Sequence, residues 1–172
     1  MQYIKLKEAL KDFTVFSIND IKQIDRSFFR ARLNEWQDKG YIRKVIRGYY
    51  IFSDLVLDEN VIFEIANRIY SPSYISFEMA LSYYGLIPES VYGITSASPR
   101  RTYNFKTPIA EFIYRTITPR LFFGYNLVKY DNKYFKMASV EKAILDYFYI
   151  NSNLKDKDDF GGLRINKSIF LK

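Results

Sequence analysis

The interpretation of this 172-residue chain depends on one stretch, Gly40-Tyr41-Ile42-Arg43-Lys44-Val45-Ile46-Arg47-Gly48-Tyr49-Tyr50-Ile51-Phe52. Gly40 is a residue type that commonly ends a helix, because it adopts a left-handed backbone conformation without strain. Two short runs rich in aromatic and β-branched residues follow, and the basic pair Arg47-Gly48 separates them. That pattern is typical of a β-hairpin with a glycine at its tip. We therefore predict a helix that ends at Gly40 and a hairpin over residues 41–52.

Three helices are predicted before this hairpin. Apolar residues at helical spacing indicate the first, over residues 3–12. The pattern Ser17-Ile18-Asn19-Asp20 is a capping box, which predicts a second short helix through about residue 24. A turn at Asp25-Arg26 leads to a third helix over residues 27–39. Three short helices followed by a basic hairpin describe a winged helix-turn-helix, a fold that places its third helix in a DNA major groove.

The third helix carries the predicted contacts to bases. Its apolar stripe, Phe29, Leu33 and Trp36, is predicted to face the core, since these residues are four and three positions apart. The opposite, outward face then holds Ser27, Arg30, Ala31 and Asn34. Arginine suits guanine and asparagine suits adenine, because each side chain can form two hydrogen bonds to the base edge in the major groove. Ser27, at the predicted helix start, suits a phosphate.

The remaining predicted DNA contacts are all basic. They are Arg26, at the edge of the outward face, and Arg43, Lys44 and Arg47 on the hairpin. A basic hairpin of this kind commonly follows the phosphate backbone, so it supplies affinity more than sequence preference. Two alternatives stay open: an ordinary solvated helix face, and a winged helix that docks protein as a non-catalytic interaction module.

The distribution of charge favours a polyanionic partner. The formal net charge of the chain is +7. Residues 1–52 hold 11 Lys and Arg against 6 Asp and Glu, which leaves +5, whereas the other 120 residues hold 15 against 13, which leaves +2. The positive charge is thus concentrated in the predicted DNA-binding region, as neutralisation of phosphates requires. A merely soluble basic surface is the alternative explanation.

The residue types that the sequence lacks argue against an enzyme. It has no cysteine and no histidine, which excludes disulfides, thiolate nucleophiles, Ser-His-Asp triads and HExxH zinc sites. Ser139-Val140-Glu141-Lys142 matches a Ser-x-x-Lys motif, but a capped helix start explains it better. Asp156-Lys157-Asp158-Asp159 is more consistent with a solvated charged run than with a cation site. We expect no catalytic residue, metal or cofactor, and keep a carboxylate- and metal-dependent nuclease as an alternative without a convincing pair of acids.

A second, mixed α/β region is predicted from residue 59 to residue 172. Two predicted helices cover residues 61–69 and 77–84, and a third begins at Ser139. Predicted strands cover residues 91–98, 112–118 and 127–136, and the last contains a hairpin turn at Asp131-Asn132. Ser76 is predicted to cap the middle helix and Gly85 to end it. The chain is therefore predicted to be α+β, with a winged helix-turn-helix at 1–53 and an α/β domain at 59–172.

No apolar run of membrane-spanning length and no signal peptide is found in the sequence. We expect a soluble, cytoplasmic protein without a membrane partner.

Two segments of the second region resemble AbiEi-family antitoxins. Ser73-Tyr74-Ile75-Ser76-Phe77-Glu78-Met79-Ala80-Leu81-Ser82-Tyr83-Tyr84-Gly85-Leu86-Ile87-Pro88-Glu89 is similar to that family's Ser-Tyr-Ile-Ser…Ala-Leu…Tyr-Gly-Leu-Ile-Pro segment. Ala138-Ser139-Val140-Glu141-Lys142-Ala143-Ile144-Leu145-Asp146 is similar to its Ala-x-x-Glu-Lys-Ala-Leu-Leu-Asp helix, and Ile94-Thr95-Ser96 fits the strand between them. The resemblance covers most of the chain, including Arg47-Gly48-Tyr49-Tyr50 in the hairpin.

The resemblance implies a bacterial antitoxin of a type IV toxin–antitoxin, or abortive phage-infection, system. Members of that family bind inverted repeats in their own promoter through an N-terminal winged helix and so repress the operon. Their C-terminal domain counters a nucleotidyltransferase-like toxin without a stable antitoxin–toxin complex. By position, Arg30, Asn34, Arg43, Lys44 and Arg47 match the family's DNA-reading region. The expected partners are therefore double-stranded DNA and, functionally, such a toxin.

Overall fold

The computed structural model describes residues 1–153 and residue 166. Over these residues the chain has an α+β fold with six α-helices and two β-sheets, so the α+β part of the prediction is confirmed. None of the helices in this part of the chain has the length and apolarity that crossing a bilayer requires.

The N-terminal unit, residues 1–53, consists of three helices and a three-stranded sheet. In chain order its elements are α1 (Tyr3–Ala9), β1 (Phe16–Ser17), α2 (Ile18–Ile24), α3 (Ala31–Asp38), β2 (Ile42–Ile46) and β3 (Tyr49–Phe52). The strands form an antiparallel sheet in the order β1-β3-β2. The predicted hairpin is confirmed as β2 and β3, with Gly48 near its tip in a left-handed conformation at φ +91°.

Local sequence signals define two helix ends in this unit. Ser17 Oγ accepts a hydrogen bond from the Asp20 amide (3.3 Å) and Asp20 Oδ2 accepts one from the Ser17 amide (2.7 Å), so the predicted capping box forms at α2. Gly40 follows α3 at φ +68°. Its amide and the next amide donate to the carbonyls of Gln37 and Trp36. These bonds satisfy the last carbonyls of α3 and direct the chain into β2.

The second unit, residues 54–153, packs a six-stranded mixed sheet against three helices. Its elements are α4 (Glu59–Ile69), β4 (Tyr74–Ile75), α5 (Phe77–Tyr83), β5 (Gly93–Ser98), β6 (Tyr103–Lys106), β7 (Glu111–Thr116), a 3₁₀ turn (Pro119–Leu121), β8 (Tyr125–Tyr130), β9 (Lys133–Ala138) and α6 (Val140–Ile150). The strand order is β6-β7-β5-β4-β9-β8. The hairpin turn at Asp131-Asn132 and the helix stop at Gly85 are confirmed. β4 and β6 were not predicted, because strands of two and four residues carry too little pattern.

The three-stranded sheet of the N-terminal unit is buried on both faces. Phe16, Tyr50 and Phe52 belong to the apolar cluster that this sheet forms with α1, α2 and α3. Val45 and Ile51 instead belong to the apolar core of the second unit. Successive residues of a strand point to opposite faces, which is why β3 contributes to both cores. The two units therefore share this sheet and are not joined only by residues 54–58.

Helix α4 adds polar contacts between the two units. Glu64 Oε2 accepts hydrogen bonds from the hydroxyl of Thr14 (2.5 Å) and from the hydroxyl of Tyr130. Burial, reinforced by the Glu64 carboxylate, raises the pKa of Tyr130. One helical turn later, Arg68 forms an ion pair with Asp20 of α2 (2.9 Å). The same helix is thus bonded to β8 and to the N-terminal unit.

We predict that Ile51→Ala destabilises the whole chain, because Ile51 is fully buried in the sheet that both units share. The free energy of unfolding should fall by about 2–5 kcal/mol, measured by urea denaturation followed by circular dichroism. Ile4→Ala is the matched control, since the same atoms are removed from a residue that is 77% exposed. It should change stability by no more than about 0.5 kcal/mol. Two separate transitions, with Ile51→Ala shifting only one of them, would contradict a shared sheet.

Candidate nucleic-acid interface

The side chains predicted to contact DNA all lie at the surface of the N-terminal unit. They are Arg26, Ser27, Arg30, Asn34, Arg43, Lys44 and Arg47. Within residues 1–153, none of the five cationic ones forms an ion pair with an acid. An exposed cation without an internal counter-ion leaves its full charge available to a phosphate.

Several acids of the N-terminal unit are neutralised by other residues. Glu8 pairs with Lys11 (2.8 Å), and Glu35 pairs with Lys39 (2.7 Å). The hydrogen bond from Lys39 lowers the pKa of Glu35, so this carboxylate stays ionised and paired. Asp20 is paired with a cation on α4. Because these pairs leave out the predicted DNA contacts, the positive charge of that surface is not cancelled locally.

The third helix begins later than the sequence predicts. It starts at Ala31 and not at Ser27, because Asp25 closes a turn before it. The amide and the hydroxyl of Ser27 donate to Asp25 Oδ1 (3.0 and 2.6 Å), and the Phe28 amide donates to the Asp25 carbonyl (3.0 Å). An aspartate that binds the backbone two residues on favours a turn over a helix. The prediction that Ser27 stands at a helix N-terminus is therefore wrong.

The predicted apolar stripe is wrong at its first residue. Phe28 enters the core in place of Phe29: it is 5% exposed, and its ring centroid lies 5.5 Å from that of Trp36. Phe29 is 71% exposed. The stripe was predicted for a helix that already includes residue 29. Because the turn at Asp25 comes before the helix instead, the ring of Phe28 points inward and that of Phe29 does not. Leu33 and Trp36 are buried as predicted.

Arg30 and Asn34 are exposed side chains four positions apart at the start of α3. Arg30 is the N-cap residue of α3 and has helical backbone angles (φ −57°, ψ −29°). Asn34 follows four residues later, so the two side chains lie on the same side of the helix. Both are exposed, and within the described part of the chain neither side chain has a protein hydrogen-bond partner. A guanidinium and an amide are thus free to contact a partner.

The hairpin presents its cations on two different faces, which the sequence did not indicate. Arg43 is paired with Ile51, and Lys44 is paired with Tyr50. Side chains of directly opposed residues lie on the same face of a sheet. Arg43 therefore lies on the face of the second unit, and Lys44 on the face of α1, α2 and α3. Arg47 lies at the tip, so Lys44 is the hairpin cation that shares a face with α3.

Residues 73–89 and 138–146, the two segments that resemble AbiEi-family antitoxins, meet in a buried polar cluster. Asp146 Oδ2 accepts hydrogen bonds from the Tyr74 hydroxyl (2.9 Å) and from Ser76 Oγ (2.7 Å). Lys142 Nζ lies 2.7 Å from Asp146 Oδ1, and the two side chains are 4% and 1% exposed. Burial, followed by the Asp146 charge, raises the pKa of Tyr74. This ion pair was not predicted, because lysine and aspartate are rarely buried and the partners Tyr74 and Ser76 are distant in the chain.

The Ser-x-x-Lys motif does not bring its two side chains together. Lys142 is the lysine of that motif, and its Nζ is paired with Asp146. Ser139 Oγ instead accepts a hydrogen bond from the Lys142 amide (3.2 Å), as the interpretation of a capped helix start predicts. Ser76 is at the N-cap position of α5, but its hydroxyl is directed to Asp146 and does not cap the helix. The cluster therefore holds β4, α5 and α6 together.

No group of three or more acidic side chains able to hold a metal ion occurs within the residues that the structure describes. The acidic run Asp156-Lys157-Asp158-Asp159 lies outside those residues.

Comparisons with known proteins assign no family to this chain. No protein-family model matches it, and no curated protein matches it. The unpaired cations and Asn34 at the surface of the N-terminal unit are therefore the residues from which a function can be proposed.

The turn at Asp25 predicts an effect of pH. The Ser27 hydroxyl lowers the pKa of Asp25 below its ordinary value of 3.8, and the N-terminal amine, 3.3 Å from Oδ2, acts in the same direction. A carboxyl with a lowered pKa in the folded state stabilises the fold above pH 3.8, and this contribution is lost as pH falls through the lower, folded-state value. We expect Ser27→Ala to return the pKa of Asp25 toward 3.8, measured by NMR titration of its carboxyl carbon.

The same substitution should reduce the part of the acid-induced loss of thermal stability that Asp25 causes. Ser90→Ala, at an exposed serine of the second unit, is the control and should leave both measurements unchanged. An unaltered Asp25 pKa in Ser27→Ala would show that the hydroxyl does not hold this turn.

Proposed function

We propose that the chain is a DNA-binding transcriptional autorepressor whose N-terminal unit is a winged helix-turn-helix. In this proposal α2 and α3 form the helix-turn-helix, α3 lies in the major groove, and the hairpin of β2 and β3 is the wing. The observation that carries the proposal is the row formed by Arg30 and Asn34 on α3, beside a basic hairpin whose cations have no acid partner among the described residues.

The proposed contacts divide into two sets with different consequences. Arg30 and Asn34 contact base edges, the guanidinium at guanine O6 and N7 and the amide at adenine N6 and N7. Arg26, Lys44 and Arg47 contact phosphates, which fixes the register of the protein on the duplex without selecting a sequence. Arg43, on the other face of the hairpin, extends the same positive field, and Ser27 shapes the turn through Asp25.

The proposed setting is a bacterial type IV toxin–antitoxin system of the abortive-infection, or phage-defence, kind. Support comes from the resemblance of residues 73–89 and 138–146 to AbiEi-family antitoxins and from the way these segments pack on each other through Asp146. The proposed partners are inverted repeats in the chain's own promoter and a nucleotidyltransferase-like toxin that is countered without a stable complex. Two copies of the chain would occupy the two repeats.

Binding of the purified chain to its own upstream DNA, beside a scrambled duplex, tests the repressor proposal. We expect a preference for the native repeats on the order of 10³-fold or more at physiological salt. Equal, weak binding to both duplexes that disappears with modest salt would contradict it. Antitoxin activity is tested separately, by whether expression of the chain restores growth to cells that express a nucleotidyltransferase-like toxin from the same operon.

Protein docking by the same unit is the second candidate function. It is favoured by Phe29 and Ile24, which are 71% and 45% exposed next to α3. Apolar side chains at the surface suit a protein partner, but the surrounding Arg26 and Arg30 suit a polyanion better. Duplex DNA is therefore placed first.

Arg30→Ala should weaken binding to the upstream DNA by about 1–3 kcal/mol and relax the sequence preference, because a bidentate contact to a base is lost. Competition between native and scrambled duplexes measures both effects. Arg120→Ala removes an exposed arginine from the second unit and should bind as the wild type does. Equal losses on the two duplexes would defeat the assignment of Arg30 to a base.

Arg47→Ala should weaken binding to every duplex by a similar factor, because its proposed partner is a phosphate. The slope of log affinity against log salt should decrease in magnitude by about 1, since one fewer counter-ion is released. Titrations over a salt series measure this slope. An unchanged slope, or a loss confined to the native sequence, would remove Arg47 from the set of phosphate contacts.

A further inference from the structure

We infer that Phe29 is a specificity-determining residue whose ring contacts the C5-methyl group of a thymine, beside the base held by Arg30. The inference rests on the proposed DNA-binding function and names a further feature that the same surface recognises. The sequence pattern had predicted that Phe29 faces the core.

Phe29 occupies a position that the folded chain does not use for packing. It is 71% exposed, which is the largest exposed fraction of any phenylalanine in the described part of the chain. The core position against Trp36 is already filled by Phe28. Within the same residues the Phe29 ring makes no ring–ring or cation–π contact. The ring is thus available to a partner, and transferring it out of water would be favourable.

The backbone places this ring at the start of α3. The Phe29 carbonyl accepts a hydrogen bond from the Arg32 amide (3.1 Å), so the residue is fixed to the first turn of the helix. Residues at this end of the second helix of a helix-turn-helix are the ones that reach base edges. Arg30 is the next residue after Phe29, Arg26 is three positions before it, and both are exposed without acid partners among the described residues. With α3 in the major groove, a bound duplex would exclude water from this apolar ring.

The chemistry of the major groove selects the ligand of this ring. Adenine, guanine and cytosine present hydrogen-bond donors and acceptors there, which a phenyl ring cannot pair. Thymine alone among the four bases adds an apolar group, its C5-methyl. Burial of one such group changes affinity by roughly threefold to fivefold. Phe29 therefore adds preference for a thymine at a position next to the one that Arg30 contacts.

Replacement of thymine by deoxyuridine tests this inference, because it removes the methyl group and leaves base pairing intact. Each thymine of the upstream duplex is replaced singly, and dissociation constants are measured for the full wild-type chain, Phe29→Ala and Tyr92→Ala. Tyr92 is 93% exposed in the second unit, so its truncation is the matched control. Thermal melts establish that both variants fold, as substitution of exposed residues predicts.

The wild type should lose roughly threefold to fivefold in affinity when the contacted thymine of a repeat is replaced. Phe29→Ala should lose at least this much affinity on unmodified DNA, because the whole ring is removed, and should show no further loss from that replacement. Tyr92→Ala should behave as the wild type. These results together would locate the methyl contact at Phe29.

Other results would overturn the inference, and they are distinguishable. Wild-type binding that is insensitive to every replacement, or Phe29→Ala binding that keeps the wild-type sensitivity, would exclude a contact between Phe29 and a thymine methyl. An equal loss by Phe29→Ala on every duplex, with altered sedimentation, would assign the ring to contact between two copies of the chain. Wild-type binding without preference for upstream over scrambled DNA would overturn the proposed function itself, and the inference with it.

Discussion

The three-stranded sheet of the N-terminal unit is the element on which the rest of the structure depends, because it supplies one face to each of two cores. Tyr50 and Phe52 pack with α1, α2 and α3, and Ile51 between them packs in the core of the second unit. A strand can do this only if its side chains alternate strictly between the faces. The neighbouring strand does not alternate throughout, and its register shifts between Lys44 and Ile46. Alternation alone puts Lys44 on the first face and Val45 in the second core, and the shift turns Ile46, which pairs with Tyr49, toward the second core as well.

A hairpin held in this way has consequences for recognition. Its root cannot move without uncovering apolar residues of both units, which restricts the positions that Arg47 at the tip can take relative to α3. Contacts that are fixed before binding lose little conformational entropy on binding. The distribution of ion pairs also leaves positive charge at this surface. Glu8 and Glu35 are neutralised by lysines, while the arginines of α3 and the hairpin have no acid partner in the described residues.

The features that could be predicted from the sequence are those whose cause is local. The capping box at Ser17 and Asp20, the helix stop at Gly40 and the glycine turn of the hairpin each depend on neighbouring residues, and each forms as predicted. The start of α3 also has a local cause, the side chain of Asp25. The spacing Asp25-Arg26-Ser27 is a signal for a turn that extends past residue 26. A helix that begins after such a turn has Phe28, and not Phe29, in the core.

The features that escaped prediction depend on residues far apart in the chain. Asp146 is buried because Tyr74 and Ser76 donate to it, and these partners are 72 and 70 positions away. A buried ion pair carries a large desolvation cost, which such added hydrogen bonds offset. The two buried faces of the small sheet are equally non-local, since periodicity gives the faces of a strand but not what covers them. For the same reason the sequence does not tell which of the neighbouring residues Arg43 and Lys44 shares a face with α3, and the strand register does.

The most direct test of the proposal that α3 lies in the major groove is cleavage of DNA from a single tethered site. The chain has no cysteine, so Ala31→Cys provides a unique attachment point for an iron chelate on the exposed start of α3. Tyr92→Cys, in the second unit, provides the control. We expect cleavage from residue 31 at a few base pairs within each upstream repeat, and weaker, displaced or no cleavage from residue 92. Cleavage from residue 31 that is spread evenly along the duplex, or absent while residue 92 cleaves, would contradict that proposal.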